Sequence, residues 1–211
     1  MNQGMIIFLA IEIVLFIVFI AWHGGGGKPV NSLEVEVLLL EMQRRAGRQD
    51  QHPSEAHILN DFRELVKSDD GHEYYMVNLL KFRKKALYPA GSIYGDDPMA
   101  ANDRYNRAII PLLFKHGGYP VFLSQVEGRF IHPGQADDWD QVAMVRYRSR
   151  RDMLKMAVEI AGLGIDIHKW AALEKTQVFP VKPVLHLAFL PVLVAAGLTI
   201  LSLIIWAFIG V

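Results

Sequence analysis

The chain has 211 residues, 52% of them hydrophobic, and its 22 Lys and Arg residues balance 22 Asp and Glu residues. The length allows one or two domains, the hydrophobic share favours a chain partly in lipid, and the charge balance indicates no nucleic-acid partner. The absence of cysteine excludes disulfides, zinc–thiolate sites, iron–sulfur clusters and a thiol nucleophile.

Two apolar segments at the ends of the chain predict transmembrane helices. Met5–Trp22 has 18 residues with a single charge, about the minimum for a hydrocarbon core roughly 30 Å thick. A cleaved signal peptide is the alternative, but no Lys or Arg precedes the apolar run. Leu187–Val211 has 25 uncharged residues. We therefore expect residues 1–23 and 184–211 to be membrane segments in contact with the lipid bilayer.

The flanking charges predict an orientation for these segments. Lys28 and Arg44 follow the first, and Lys175 and Lys182 precede the second. This bias predicts a two-pass protein of the bacterial inner membrane, with a cytoplasmic domain and both termini outside. Glu12, in the middle of the first segment, is costly in lipid. It is expected to be a proton or ligand group, or a protonated carboxyl hydrogen-bonded to a neighbouring helix.

Residues 24–53 are predicted to hold a linker and an amphipathic helix. The glycine run at positions 24–27 favours a flexible joint. Ser32–Ala46 fits both helical and strand periodicity, but it ends in two arginines followed by Gly47. Cationic residues and a glycine are typical of a helix C-terminus, so we favour a helix.

Residues 54–183 are predicted to form one α+β domain. Predicted helices are Ser54–Lys67, Pro98–His116, Ser149–Ile160 and Ile165–Leu173, and predicted strands are Tyr74–Phe82, Tyr119–Ile131, Trp139–Arg148 and Thr176–Val181. After the first helix, the order strand, helix, strand, strand, helix, strand is the ferredoxin-like βαββαβ arrangement.

The third predicted strand indicates that both faces of the sheet are covered. Its alternate positions are Trp139, Gln141, Ala143, Val145 and Tyr147 on one side, and Asp140, Val142, Met144 and Arg146 on the other. Neither set is polar enough to face water alone. Helices cover one face of such a sheet, and the same sheet of a second copy is the simplest cover for the other. We therefore expect a homodimer or an equivalent pairing.

Several stretches together carry a resemblance to a known family. They are VNLLKFR (77–83), the Tyr105 helix running into HGG (116–118), the Gly128 strand, WDQVAMVRY (139–147), SRRDMLKM (149–156) and HKWAALEKT (168–176). In order and spacing they resemble an uncharacterised bacterial domain family of the dimeric α/β-barrel superfamily.

The resemblance covers about Ser54 to Pro180 and implies a ferredoxin-like fold, dimerisation through the sheet and a pocket between sheet and helices. The wider superfamily includes small monooxygenases, isomerase-like enzymes and haem-binding proteins. Two departures stand out. Arg148-Ser149-Arg150 replaces the family's Pro-Ser-Arg, and AVEIAGLGID (157–166) replaces its Asp-Pro-x-Tyr segment.

Five residues are candidates for chemistry in the domain. Asn78 lies on the more buried face of its strand, where its amide could orient a carbonyl or bind a loop backbone. Tyr105, Trp139, Arg146 and His168 could surround a small acidic or aromatic ligand, with Asn78, Tyr105, Arg146 and His168 as the catalytic candidates. The alternative is that Tyr105 and Trp139 are core residues and that Arg146 pairs with Asp140 or Glu174.

The sequence leaves more than one function open. The eight histidines lack ligand spacing, so no metal site is expected, and no cofactor is predicted, although haem is possible in the pocket. The first prediction is a membrane-anchored accessory or interaction subunit that dimerises or docks on a larger membrane complex. The alternative is a small-molecule enzyme of monooxygenase or isomerase type acting on an apolar or aromatic substrate.

Overall fold

A computed structural model describes residues 3–24, 27–47, 57–131, 134, 138–185, 193 and 196–201. The chain forms two compact units, Met1–Val181 and Lys182–Val211. The first unit contains the sheet and the helices described below. In the second unit, residues 196–201 are helical.

The core of the first unit is a four-stranded antiparallel sheet. Its strands are β1 (Tyr74–Phe82), β2 (Tyr119–Gln125), β3 (Gln141–Tyr147) and β4 (Leu173–Val181), in the order β2-β3-β1-β4. Each neighbouring pair is antiparallel. The α+β class and the four strands agree with the sequence analysis, and the two central strands are the first and third, as in a split βαβ fold.

The helices of the first unit precede and connect these strands. They are α1 (Gln3–His23), α2 (Ser32–Ala46), α3 (Ile58–Lys67), α4 (Pro98–Lys115), α5 (Arg150–Ala161) and α6 (Asp166–Ala172). Side-chain caps fix three of the starts: Asn31 accepts from Glu34 N, Asp97 from Met99 N and Ser149 from Asp152 N. The predicted helix at Ser32–Ala46 is confirmed, and so is the cap at Ser149.

The predicted helix Ser54–Lys67 is confirmed over Ile58–Lys67. Its predicted capping residue, Ser54, lies outside the described residues.

Helices cover one face of the sheet with two apolar clusters. The larger joins β1 to α2, α3 and α5 through buried residues that include Tyr74, Met76, Leu39, Phe62 and Leu154. The smaller joins β1 to α4 and α6 through Ala101, Ala171, Ala172 and Leu173, with Leu80 and Phe82 packed against them. Because α2 contributes to the larger cluster, the segment after the glycine run is part of the folded unit.

The prediction of two membrane-spanning helices around the domain was wrong. Within the described ranges, no helix has both the length and the apolar character needed to cross a membrane. The first predicted segment lies in α1, and the last turn of α1 is built into the domain. The Trp22 indole donates to Phe114 O at 2.8 Å, and His23 Nε2 lies 3.0 Å from Tyr119 Oη. Hydropathy alone does not reveal that part of an apolar run belongs to a folded unit.

The two-pass localisation in a bacterial inner membrane, with a cytoplasmic domain and both termini outside, was wrong for the same reason. Glu12 was predicted to be a polar residue within the first membrane segment. Glu12 lies in α1, and its side chain lies outside the described residues. Most of Leu187–Val211, the second predicted segment, also lies outside them.

Candidate functional site

Asn78 lies at the centre of β1, on the face covered by helices. Its side-chain amide donates to Met76 O at 3.2 Å and to Ala143 O at 3.5 Å. Ala143 is also its cross-strand neighbour on β3. The amide group is therefore engaged with the backbone of the sheet, which fits the structural interpretation of this residue.

Trp139 lies just before β3, away from Asn78. The Lys175 ammonium is 4.7 Å from the centre of its ring. Trp139 also lines a groove of about 420 Å³ with Lys81, Asp138 and Asp140. Lys81 Nζ is 2.8 Å from Asp140 Oδ1, and the hydrogen bonds from Lys81 to Asp140 and Asp138 raise the Lys81 pKa. The Lys81 ammonium is thus engaged by both carboxylates.

Arg146 is a buried residue at the other end of β3, and its side chain connects separate parts of the fold. Its Nε donates to Glu73 Oε2 at 2.7 Å, and its two terminal nitrogens donate to Gly117 O and His23 O at 2.9 and 2.6 Å. The guanidinium also lies over the Tyr119 ring. Arg146 therefore pairs with Glu73 instead of Asp140 or Glu174, and it fastens the end of α1 to the sheet.

A different group of titratable side chains meets where α4 and α6 pack together. We name Tyr105, Tyr147, Asp166 and Lys169 the α4–α6 site. Tyr105 comes from α4, Tyr147 from the helix-covered face of β3, and Asp166 and Lys169 from consecutive turns of α6. The Lys169 ammonium lies 6.0 Å from the centre of the Tyr105 ring and 5.0 Å from that of Trp170. A cation is thus held among aromatic rings.

Burial governs the ionisation of the two charged groups of this site. Burial raises the pKa of Asp166 although Lys169 opposes the change, and burial lowers the pKa of Lys169 although Asp166 opposes it. In an ordinary salt bridge the attraction between the two charges dominates, so the pKa of the carboxyl group falls and the pKa of the amine rises. Here the Asp166 carboxylate becomes a stronger base and the Lys169 ammonium a stronger acid.

The two phenols of the site remain protonated. Burial, with the charge of Asp166 adding to it, raises the pKa of Tyr105. Burial alone raises the pKa of Tyr147 to about 12. Neutral phenols of this kind can donate hydrogen bonds to an oxygen atom that gains negative charge.

His168 lies beside the α4–α6 site, among other aromatic residues. Its Nδ1 is 2.8 Å from Tyr88 Oη, and the centres of the His168 and Tyr94 rings are 4.7 Å apart. Burial first, and the charge of Arg104 second, lower the pKa of His168. The imidazole is thereby biased towards its neutral form.

The structure brings only part of the predicted set together. Tyr105 and His168 lie on the packed pair of helices α4 and α6, whereas Trp139 and Arg146 lie at opposite ends of β3. The sequence analysis missed Asp166 and Lys169. Their spacing of three residues within a short predicted helix places them on one side of it, and this was the available signal.

Among the residues that the structure describes, no group of three or more His, Cys, Asp or Glu side chains could hold a metal ion.

The comparisons with known proteins give structural neighbours only. The RPA0582 protein of Rhodopseudomonas palustris, a protein of unknown function, is similar at a TM-score of 0.53 and 26% identity, over 65% of this chain and 97% of that chain. The structure titled as the methylated RPA0582 protein gives a TM-score of 0.52 and 26% identity, over 66% and 97% of the two chains. No protein-family model matches the chain, and no curated protein matches it significantly.

Proposed function

We propose that this protein catalyses proton transfer on a small carbonyl compound at the α4–α6 site, a reaction of isomerase type. The observation that carries the proposal is the position of the Lys169 ammonium, close to both the Tyr105 and the Trp170 ring at the contact of α4 with α6. Asp166 lies one turn earlier on the same helix and interacts electrostatically with both Lys169 and Tyr105. Perturbed titratable groups that cluster in this way are typical of active sites.

The roles of the residues follow from the directions in which their pKa values move. The Asp166 carboxylate takes a proton from the carbon next to the carbonyl, and the Lys169 ammonium gives a proton to the carbonyl oxygen. The C–H bond breaks as an O–H bond forms on Asp166, the N–H bond of Lys169 breaks as an O–H bond forms on the substrate, and the product of the step is an enol. The neutral Tyr105 phenol donates a hydrogen bond to the same oxygen. Return of the proton from Asp166 to a different carbon, and of the enol proton to Lys169, completes an isomerisation and restores both groups.

Hydrogen–deuterium exchange tests the proposal without a known product. A panel of small 2-oxo acids and 1,3-dicarbonyl compounds is incubated with the protein in D₂O, and loss of the C–H signal is followed by NMR. We expect exchange with the unmodified protein, and about 10²-fold slower exchange with Asp166→Asn or Lys169→Met. Lys155→Met, at an exposed position of α5, serves as the control and should leave exchange unchanged. Exchange that survives both site substitutions contradicts the proposal.

The chemistry proposed for Asp166 and Lys169 uses side chains alone. The possible haem site predicted from the sequence is tested by the absorbance spectrum of the purified protein. A Soret band would favour haem binding over the proposed proton transfer.

We also propose homodimerisation through the sheet face opposite helices α2 to α6, beyond the end near Arg146 that the last turn of α1 contacts. Phe122, Met144, Val77 and Phe179 form one row across all four strands, since Met144 is paired with both Phe122 and Val77, and Val77 with Phe179. Phe122 and Phe179 are exposed. An apolar row across a whole sheet is a typical interface, and a second copy can supply a matching row. The interaction role predicted from the sequence is kept in this form, without its membrane part.

Light scattering of the purified protein tests the pairing. We expect the mass of a dimer, and a monomer after Met144→Glu, because a charge in the centre of the row cannot be buried unpaired. Leu163→Glu, at an exposed apolar position after α5, is the matched control and should remain dimeric. A monomeric unmodified protein contradicts this function.

A further inference from the structure

The segment of residues 83–97, which connects β1 to α4, is fastened to the end of α6. Arg83 N donates to Ala172 O at 2.9 Å, and Leu87 N donates to Ala171 O at 2.9 Å. Within the segment, Ala86 N donates to Asp96 O at 2.6 Å. These backbone hydrogen bonds place the side chains of the connection against α6 in a defined way.

Two tyrosines of this connection form aromatic walls around His168. The ring centres of Tyr88 and Tyr94 are 4.9 Å apart, and each ring meets His168 edge to face. The hydrogen bond between Tyr88 Oη and His168 Nδ1, at 2.8 Å, fixes the imidazole. Tyr94 keeps 37% of its surface exposed, so the cluster is open to solvent on that side.

Arg104 of α4 adds a positive charge to the cluster of Tyr88, Tyr94 and His168. Its guanidinium carbon lies 5.1 Å from the centre of the Tyr94 ring. Its Nη1 is fully buried and has no hydrogen-bond partner within the described structure. A buried guanidinium nitrogen without a partner costs free energy, and a rotation of the partly exposed Arg104 side chain that brings this nitrogen to an anion recovers it. His168, whose pKa is lowered, does not supply a second cation.

We propose that Arg104, Tyr88, Tyr94 and His168 form a binding site for a small organic carboxylate with a flat apolar body. The planar guanidinium binds a carboxylate through paired hydrogen bonds, and the three rings provide surfaces on which a flat group packs. With one cation and apolar walls, the cluster suits a singly charged carboxylate better than a free phosphate. The site is separate from the proton-transfer chemistry proposed for Lys169 and does not depend on it.

Binding of benzoate, measured by calorimetry on the full chain, tests this inference. We expect saturable binding of benzoate, no binding of its neutral analogue benzamide, and binding at least about tenfold weaker in Arg104→Met. Arg107→Met, one turn further along α4 and exposed, is the matched control and should bind benzoate within about twofold of the unmodified protein. Lys169→Met should also keep benzoate binding, which separates this site from the proposed enzyme.

Thermal unfolding without ligand separates a binding role of Arg104 from a structural one. A ligand-binding arginine leaves its buried nitrogen unpaired in the free protein, so Arg104→Met should lose only the contact with the Tyr94 ring and unfold at most about 5 °C lower. A larger drop assigns Arg104 a structural role and overturns the inference. Equal benzoate affinity in Arg104→Met, equal affinity for benzamide, or no saturable binding up to about 10 mM benzoate overturns it too.

Discussion

The Lys169 ammonium of α6 lies over the Tyr105 ring of α4, with Nζ 6.0 Å from the ring centre. This contact joins two helices that are distant in sequence, and it places a cation where burial lowers its pKa. Asp166, whose pKa burial raises, completes a pair in which the acid and the base are both strengthened. The proposed enzymatic function rests on this pair.

The free energy of unfolding should depend on pH in a way that reveals the lowered pKa of Lys169. Because its pKa is below the ordinary 10.5 in the folded state, the unfolded chain binds more protons between the two values. The contribution of Lys169 to the free energy of unfolding is then largest above pH 10.5 and falls as pH decreases towards the folded pKa. The fall is about 1.4 kcal/mol for each pH unit that separates the folded and unfolded pKa values. Urea unfolding should therefore show Lys169→Met gaining stability over the unmodified protein as pH falls.

Lys81 provides a control whose contribution to stability should change with pH in the opposite direction to that of Lys169. Its pKa is raised by Asp140 and Asp138, so its contribution is present below pH 10.5 and is lost as pH rises through the folded pKa. Lys81→Met should thus lose stability relative to the unmodified protein at neutral pH and recover at high pH. The same trend for both substitutions would contradict the assigned environments.

Arg146→Met should destabilise the protein by about 3 kcal/mol in chemical unfolding. The substitution removes the partner of Glu73 and leaves Gly117 O and His23 O without their donors. Arg44→Met is the control, because Arg44 forms an exposed ion pair with Glu41 on α2, and such pairs contribute little. Similar losses of unfolding free energy in the two variants would show that the hydrogen bonds of Arg146 are not important for stability.

Gly117→Ala tests whether the end of α1 is fixed against the rest of the fold. Gly117 has φ +72°, and an added Cβ would lie 2.9 Å from Trp22 O. Gly164 has φ +63° with no atom within 4 Å of an added Cβ, so Gly164→Ala measures only the strain of the left-handed backbone, about 1 to 2 kcal/mol. We expect a clearly larger loss in unfolding free energy for Gly117→Ala. Equal losses would mean that the end of α1 moves aside freely.

Local sequence patterns predicted the elements of the sheet domain well. The apolar run Tyr74–Phe82 is β1 with the same bounds, and Ser32–Ala46 is α2 with the same bounds. Both depend on signals carried within a few residues, namely strand length and helix-end composition. The second predicted strand ends at Gln125 instead of Ile131, because pairing with β3 decides its length and local pattern does not.

Tertiary contacts decided what the sequence analysis could not predict. The hydropathy of Met5–Trp22 resembles that of a membrane helix, but it does not reveal that Trp22 is bound to Phe114, 92 positions away. Lys169 looks like an ordinary helical lysine until the packing of α4 on α6 places Tyr105 against it. Arg146 was a candidate ligand-binding residue until Glu73 and two carbonyl oxygens proved to be its partners.

The pH dependence of Lys169 modification shows whether Lys169 has the lowered pKa that the acid–base pair with Asp166 requires. The protein is treated with short pulses of an amine-acylating reagent at a series of pH values. Mass spectrometry then gives, for each lysine, the midpoint, which is the pH at which its modification is half-maximal. We predict that Lys169 reaches its midpoint below Lys81 and Lys85, whose pKa values neighbouring carboxylates raise. Asp166→Asn should lower the Lys169 midpoint further, because the charge of Asp166 raises the pKa of Lys169. A Lys169 midpoint equal to or above that of Lys81 would contradict the assignment of Asp166 and Lys169 as an acid–base pair on α6.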